Sequence, residues 1–261
     1  MSLTINTNLE AMNAQRNLNG TENQISSAMQ RLSSGLRINS AADDVAGYAI
    51  SQRMQGQVNG LNQATQNIQD GVSLTQTAQG SLNDVSQMLQ RIRELAVEYA
   101  NGTTSTTDQT AIQSEVNQLV SEIDRVGETT SFNGVALLNG GSTITFQVGA
   151  NNGEQIAVKT ITLSSTVGTI SLGNISGIDE AINKVASAAG EFGSVQNRIQ
   201  YTESNLEVYS QNLSSAVSGM VDVNMAAEMT NFTKLQVLEQ AGVSILSQAN
   251  AEPQAVLKLL G

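Results

Sequence analysis

Cysteine, histidine and tryptophan are missing from this 261-residue sequence, proline occurs once, and aromatic residues make up only 3%. Without thiols there are no disulfides and no soft-metal site. Without His or Cys the commonest bases and nucleophiles of catalysis are gone, and no glycine loop of the kind that cradles phosphate is present. Positive charge is also scarce, with 12 Lys and Arg against 23 Asp and Glu and a formal charge of -11. So acidic a chain has no electrostatic footprint for nucleic acid or for an anionic membrane face. Hydrophobic residues reach 39%, enough for buried seams, yet no run approaches the roughly eighteen apolar residues of a membrane span. The opening stretch, MSLTINTNLEAMNAQR, lacks the cationic start and apolar core of a cleavable secretion signal, so export by that route is not expected.

What the sequence does have is seven-residue periodicity. Ile178, Val185, Phe192, Ile199, Leu206, Leu213, Met220 and Ala227 recur at every seventh position. Ala181, Ala188, Val195, Thr202, Tyr209, Ala216 and Val223 form a second series three residues behind. This predicts one helix over 178–227 whose seam faces another helix. Such a helix is roughly 75 Å long, whereas a globule of this chain length is roughly 45 to 50 Å across, so the expected shape is a rod. Residues 43–99 carry matching series, Leu61, Ile68, Leu82, Leu89 and Ala96 with Ala64, Ala78, Val85, Ile92 and Tyr99, interrupted at Gly71 and Thr75. The two long helices are expected to pair as an antiparallel coiled coil. Ile112, Val116, Leu119, Ile123 and Val126 predict a third helix folded against them, capped by Thr107 or Asp108. Ile144, Phe146 and Val148 alternate with polar residues, and Ile156, Val158, Ile161 and Leu163 return after the turn at Asn151-Asn152-Gly153, predicting a small β-hairpin.

The ends of the chain have stripes of their own. Leu3, Ile5, Leu9 and Met12 lead into Leu18, Ile25, Met29, Leu32 and Leu36, an amphipathic helix that stops near Ser33-Ser34-Gly35. The next helix is expected to start at 39–43, with Ser40 and Asp43 as a capping box. Beyond 227 the long seam fails, since its next positions are Thr230 and Lys234, and Leu235, Leu238, Ile245 and Ala249 restart it one residue out of phase. That slip places a joint near 228–231. Residues 1–42 with 228–261 are therefore expected to form a terminal-helix domain, and residues 43–227 the rod, with a β-rich tip at 140–177. The fold class is mainly α: a long antiparallel coiled-coil rod with a third helix, a hairpin at one end and paired terminal helices. The terminal stripes, Leu18, Ile25, Met29, Leu32 and Leu36 with Leu235, Leu238, Ile245 and Leu246, lack enough partners within one subunit. They are expected to pair with each other and with copies, and an interface not closed by a two-fold axis continues as a filament.

RLSSGLRINSAADDVAGYAIS at 31–51 resembles the N-terminal signature of bacterial flagellins, the subunits of the flagellar filament. The likeness extends through Ile5-Asn6-Thr7-Asn8, QRIRELAVEYANGT at 90–103, EIDRV and FNGVALLNG at 122–140, and LEQAGVSILSQAN at 238–250. It ends in the apolar motif of Val256, Leu257, Leu259 and Leu260. The chain departs from the family at Gly219-Met220-Val221-Asp222-Val223-Asn224, where an acidic, arginine-containing stretch is usual, and it lacks the large outer domains of many members. The resemblance implies a homopolymeric filament outside the cell, export through the flagellar type III apparatus, an export chaperone on the C-terminal helix, and junctions made with hook-associated proteins. It also implies exposed Ser and Thr at 103–107 or 164–171 as O-glycosylation acceptors. No cofactor, metal, nucleic acid or membrane is implied.

A further resemblance concerns host recognition. QRIRELAV at 90–97 is similar to the flagellin segment bound by a Toll-like receptor, which implies contacts by Gln90, Arg91, Leu95 and Glu115, with Glu98 standing where Gln is usual. Spacing alone puts Met88, Arg91, Leu95 and Glu98 on a stripe beside the seam. Sequence alone favours a plainer reading, in which Leu95 packs on the 108–126 helix or on an adjacent subunit while Arg91 pairs with Glu94; the resemblance is what points to the receptor. Asp43-Asp44 is a poor catalytic pair, since neighbours on a helix point about 100° apart and acids suit a helix start. The alternative function is a secreted adhesin or translocator-like helical interaction protein, which would form discrete particles in place of filaments.

Overall fold

The computed structural model describes residues 7–260, with side chains described through residue 251. Leu3 and Ile5, and the side chains of Val256, Leu257, Leu259 and Leu260, lie outside the described residues. In order come α1 (Leu9–Ser34), α2 (Val45–Tyr99), α3 (Thr106–Thr129), β1 (Ser131–Phe132), β2 (Val135–Ala136), β3 (Thr143–Gln147) and β4 (Gln155–Lys159). They are followed by α4 (Leu163–Val167), α5 (Ile175–Val221) and α6 (Met225–Leu260). Two compact units result. One joins residues up to Gln55 with those from Leu213 onward, and the other runs from Gly56 to Asn212.

In the middle unit the seam of α2 runs antiparallel to α5. Ser210 Oγ donates to Asn62 Oδ1 (3.5 Å), Ile199 lies against Gly71, Gln79 lies against Gly193, and Arg93 Nε holds Asp179 Oδ1 at 2.6 Å. As the α2 number climbs, the α5 partner falls, which is the register of a coiled coil of opposed helices. Leu61, Ala64, Ile68, Ala78, Leu82, Val85, Leu89, Ile92 and Ala96 are buried, and so are Ile178, Ala181, Val185, Ala188, Phe192 and Ile199. Thr75, which breaks the apolar series, is fully buried with its hydroxyl donating to the Val72 carbonyl (2.8 Å), so the polar group is satisfied within its own turn.

The third helix adds Ile112, Val116 and Ile123 to the same core. Its cap differs from the expected one. Ser105 is the N-cap, accepting from the Asp108 N–H, while the Asp108 carboxylate accepts from the Ser105 N–H, so Asp108 serves as the third residue of a capping box. Thr107 lies inside the first turn and cannot cap it.

The β elements lie beside this core. In the β3–β4 hairpin Thr143 pairs with Lys159 and Gln147 with Gln155. Ile156 and Val158 are buried, and Asn67 Nδ2 donates to the Gln147 carbonyl (3.0 Å), fastening the hairpin to α2. The returning strand is shorter than the sequence indicates. Leu163 opens α4 instead, where it is buried and its N–H donates to the Leu138 carbonyl (2.8 Å). A second, two-residue hairpin, β1–β2, turns at Asn133 and Gly134, both at positive φ (48° and 79°). Asn-Gly is the pair that such a tight turn favours. It delivers Leu137 and Leu138 into the core with essentially no exposed surface.

Candidate interaction surfaces

The terminal unit is built on the pairing of α1 with α6. Asn8 caps α1 by accepting from the Ala11 N–H (3.0 Å), and its Nδ2 donates to the Ala249 carbonyl (2.8 Å). Leu18 lies against Gly242, and the groove at the other end is lined by Ala28, Arg31, Glu228 and Asn231. The two helices are thus antiparallel. On α1 the sheltered positions include Ala11, Ala14, Leu18, Thr21, Ile25, Ala28 and Leu32, at spacings of three and four; on α6 they are Glu228, Phe232, Leu235, Glu239, Gly242, Leu246 and Ala249. This is one narrow seam between two helices, so much of each helix stays uncovered.

The expected polymerisation residues therefore divide into two sets. Leu18, Ile25, Leu32, Leu235 and Leu246 are sheltered in the α1–α6 seam, and Leu36 is half-buried in the joint. Met29 (56% exposed), Leu238 (47%) and Ile245 (61%) face outward. Leu238 and Ile245 are thus not in the phase that the sequence predicts for them. The seam steps from Leu235 by four to Glu239 and from Gly242 by four to Leu246, so Leu238 and Ile245 each lie one residue, about 100°, off it and face outward. Leu9, Met12, Met225, Met229, Val237 and Val243 are exposed too. Their apolar character was legible, but a single periodic series hides the second stripe beside the first.

The joint between α5 and α6 also differs from the expected place. Helix α5 ends at Val221 and α6 begins at Met225. The break falls at 222–224, inside the series that runs on in sequence to Ala227. Its cause is distant in the chain. The Arg37 N–H donates to the Val221 carbonyl (2.6 Å), the Val223 N–H donates to the Gly35 carbonyl (2.9 Å), and the Arg37 guanidinium donates to the Met220 carbonyl. Leu36 and Asp222 form the resulting antiparallel bridge. These bonds satisfy backbone groups that a helix end leaves orphaned. Asp222 also accepts from Ser218 Oγ (2.5 Å), and Asn224 starts α6 by accepting from the Ala227 N–H (3.2 Å). The break coincides with the stretch where the sequence departs from the flagellin pattern.

Gly35, at φ 73°, ends α1 and turns the chain into this bridge. From there residues 36–44 form a short connector to α2. Asp43 accepts from the Asn39 and Ser40 N–H groups and the Ser40 hydroxyl, and these bonds, the backbone ones foremost, hold its carboxyl below the ordinary range. The expected capping box is a turn that precedes the helix. Asp44 is the residue that caps α2, accepting from the Gly47 N–H (2.9 Å).

The recognition stripe lies in the middle unit. Gln90, Arg91 and Glu115 are exposed. Arg91 reaches Glu115 Oε1 through both Nε (3.0 Å) and Nη2 (2.9 Å), and Nη1 reaches Glu94 (3.2 Å). These hydrogen bonds, that to Glu115 first, raise the Arg91 pKa above its already high value and keep the guanidinium charged. Leu95 is 2% exposed, in the same core cluster as Ile112 and Val116. Its placement on an open stripe is therefore corrected. The third helix covers one side of α2, so Leu95 packs inward while Arg91, one turn earlier, stays in water.

Among the described residues no group of His, Cys, Asp or Glu is arranged to hold a metal, and no helix is long and apolar enough to cross a membrane. Residues 5–143 match the bacterial flagellin N-terminal helical region, and residues 175–260 match the bacterial flagellin C-terminal helical region. A flagellin of Halalkalibacterium halodurans is 46% identical over 271 aligned residues, covering 99% of this chain and all of the relative. The flagellar filament 33 kDa core protein of Treponema phagedenis is 41% identical over 285, with the same coverage. Among solved structures, Bacillus cereus flagellin is 32% identical with a TM-score of 0.52, covering 58% of this chain and 94% of that one. A putative flagellar hook-associated protein from Vibrio parahaemolyticus shares the fold at 13% identity, with a TM-score of 0.60 over 69% of this chain and all of that one. A terminal pair of helices with an out-of-phase seam and a self-contained helical middle unit are thus found together with family similarity along nearly the whole chain, and the chain belongs to the bacterial flagellins.

Proposed function

We propose that this flagellin assembles into the helical flagellar filament through the outward faces of α1 and α6. One observation carries the reading: Leu9, Met12, Met29, Val237, Leu238, Val243 and Ile245 are each about half exposed or more on two helices whose seam is already filled. So much apolar surface is stable in water only when copies cover it, and the family's filament proteins supply the class of assembly. The adhesin or translocator alternative has no support from the family comparison. Leu238→Ser with Ile245→Ser tests the reading in the full chain. Subunit helix content should stay unchanged because neither residue is in the seam, while filament yield by sedimentation and negative-stain microscopy collapses. Filaments formed at the parent's yield would overturn it.

Export through the flagellar type III apparatus, a chaperone on α6 and junctions with hook-associated proteins are part of the same proposal, as is a final location outside the cell. What supports them is the flagellin family membership and, for the last partner, the shared fold of a putative hook-associated protein. Toll-like receptor recognition is proposed for Gln90, Arg91 and Glu115, whose exposure leaves them accessible in the free subunit, with Leu95 holding α2 in place from behind. A guanidinium fixed by two carboxylates presents its remaining donors in a set direction, which suits an interface anchor. Arg91→Ala should lower receptor activation by the monomer about tenfold, roughly 1.4 kcal/mol, with thermal unfolding unchanged. An equal response at matched monomer concentration would remove the site.

A further inference from the structure

With no cysteine and no tryptophan in the chain, the methionine thioethers are its most readily oxidised side chains. Their placement is uneven. Of the seven methionines among the described residues, Met12 (55%), Met29 (56%), Met225 (48%) and Met229 (49%) are exposed, and all four are on α1 or α6. Met54 and Met88 on α2 are partly buried, Met88 against the core cluster, and Met220 is half-buried near the end of α5. Met225 and Met229 are four apart and share one face of α6. Met29 is at the same end of the α1–α6 pair, beside the groove lined by Ala28, Arg31, Glu228 and Asn231.

We infer that Met12, Met29, Met225 and Met229 form a redox switch on assembly, in which peroxide-class oxidants convert the free subunit to a form that does not polymerise. The inference rests on the outward faces of α1 and α6 being the assembly surface. The thioether sulfur gives a lone pair to a peroxide oxygen; an S–O bond forms, the O–O bond breaks, and water leaves. Sulfur is oxidised by two electrons and the peroxide is reduced by two. The product is a sulfoxide, whose strongly accepting oxygen must lose its water when the face is covered and finds no donor on an apolar partner. In the free subunit all four side chains are about half exposed to solvent-borne oxidant, whereas a polymer that covers these faces shields them. Oxidation therefore acts before assembly, and methionine sulfoxide reductases return the chain to the assembling pool, a dithiol supplying the two electrons and becoming a disulfide while the sulfoxide oxygen leaves as water.

The test treats the purified full-length subunit with hydrogen peroxide, maps sulfoxides by peptide mass spectrometry, and follows filament formation by light scattering. Untreated subunit serves as the control for the assembly reading itself: if it forms no filaments, that reading fails and the switch falls with it. With the control polymerising, Met12, Met29, Met225 and Met229 should oxidise well before Met54 and Met88, and the critical concentration for filament formation should rise about tenfold, roughly 1.4 kcal/mol. Treatment with methionine sulfoxide reductases for both sulfoxide epimers, with dithiothreitol as the electron donor, should restore it. A variant with all four replaced by Leu should polymerise equally with and without peroxide, and if that variant does not assemble, the reductase rescue decides. Normal polymerisation of subunits oxidised at these four positions, loss that reduction does not reverse, or oxidation spread evenly over all the methionines would overturn the inference.

Discussion

The middle unit and the terminal unit are both made of helices with heptad stripes, but they solve the burial problem differently. Among the described residues, 29 buried hydrophobics lie between Gly56 and Asn212 against 5 exposed large ones, Val97, Val135, Tyr201, Val208 and Tyr209. In the terminal unit the balance reverses, with 5 buried, Ala28, Ile38, Leu213, Leu235 and Ala249, against 10 exposed. The middle unit packs stripes from α2, α3 and α5 together with the hairpins, so each stripe meets another. Apart from the short ends of α2 and α5 and the connector, the terminal unit is two long helices meeting in one seam, and two cylinders cannot cover each other's full circumference. Periodicity alone does not separate the two cases. What separates them is how many neighbours the topology supplies.

The largest expected effect tests whether the terminal unit is needed for assembly and dispensable for the middle core. Deleting residues from 228 onward removes most of α6 and should abolish filament formation, while circular dichroism still reports the helices of the middle unit with a cooperative melt. Loss of that melt along with the filaments would show that the two units do not differ in self-sufficiency as described.

A sharper version uses two leucines of the same size. Leu95→Ala empties a site in the middle core and should cost about 2–5 kcal/mol in subunit stability. Leu238→Ala removes an exposed side chain and should leave the subunit's denaturation midpoint nearly unchanged while weakening assembly. Similar stability losses from the two substitutions would break the distinction between a filled core and an open face.

A smaller effect is expected at the connector. Gly35 takes a left-handed backbone that costs a side-chain-bearing residue about 1–2 kcal/mol, so Gly35→Ala should destabilise the terminal unit by that order. Amide exchange at Arg37 and Val223, whose N–H groups form the bridge to the α5–α6 joint, should accelerate while exchange in the α2–α5 seam of the middle unit does not.

The smallest is a pH effect in the same connector. The backbone N–H groups of Ser40 and Asn39 depress the Asp43 pKa, so this carboxylate contributes stability that is fully present above its unfolded value of about 4. That contribution is lost as the pH falls through the lower folded value. Amide exchange at Asn39 and Ser40 should therefore quicken only in acid below about pH 4, and Asp43→Asn should show the fast exchange already at neutral pH. Slow exchange at neutral pH in that variant would mean that the Asp43 charge does not hold the turn.

Much of this molecule was legible in its residues. The stripes of α1, α2, α3 and α5 identify four helices, Gly35 marks the end of the first, and the alternation at 144–148 and 156–158 identifies the hairpin, because each of these patterns is set by a chain segment acting on its own neighbours. The Arg91, Glu94 and Glu115 cluster was partly legible, since Arg91 and Glu94 are one turn apart, whereas Glu115 comes from another helix.

Tertiary structure decided the remainder. Nothing in the run from Met220 to Ala227 stops a heptad count; α5 ends at Val221 because Gly35 and Arg37, more than 180 residues away in the chain, bond to its last carbonyl and to the Val223 N–H. Leu95 and Leu238 look alike in sequence, apolar and next to a seam, but α3 covers the first and no neighbour within the described residues covers the second. Periodicity fixes which residues share a face of a helix. Whether that face is buried depends on what the rest of the chain brings against it, and that is a property of three-dimensional packing that no local pattern contains.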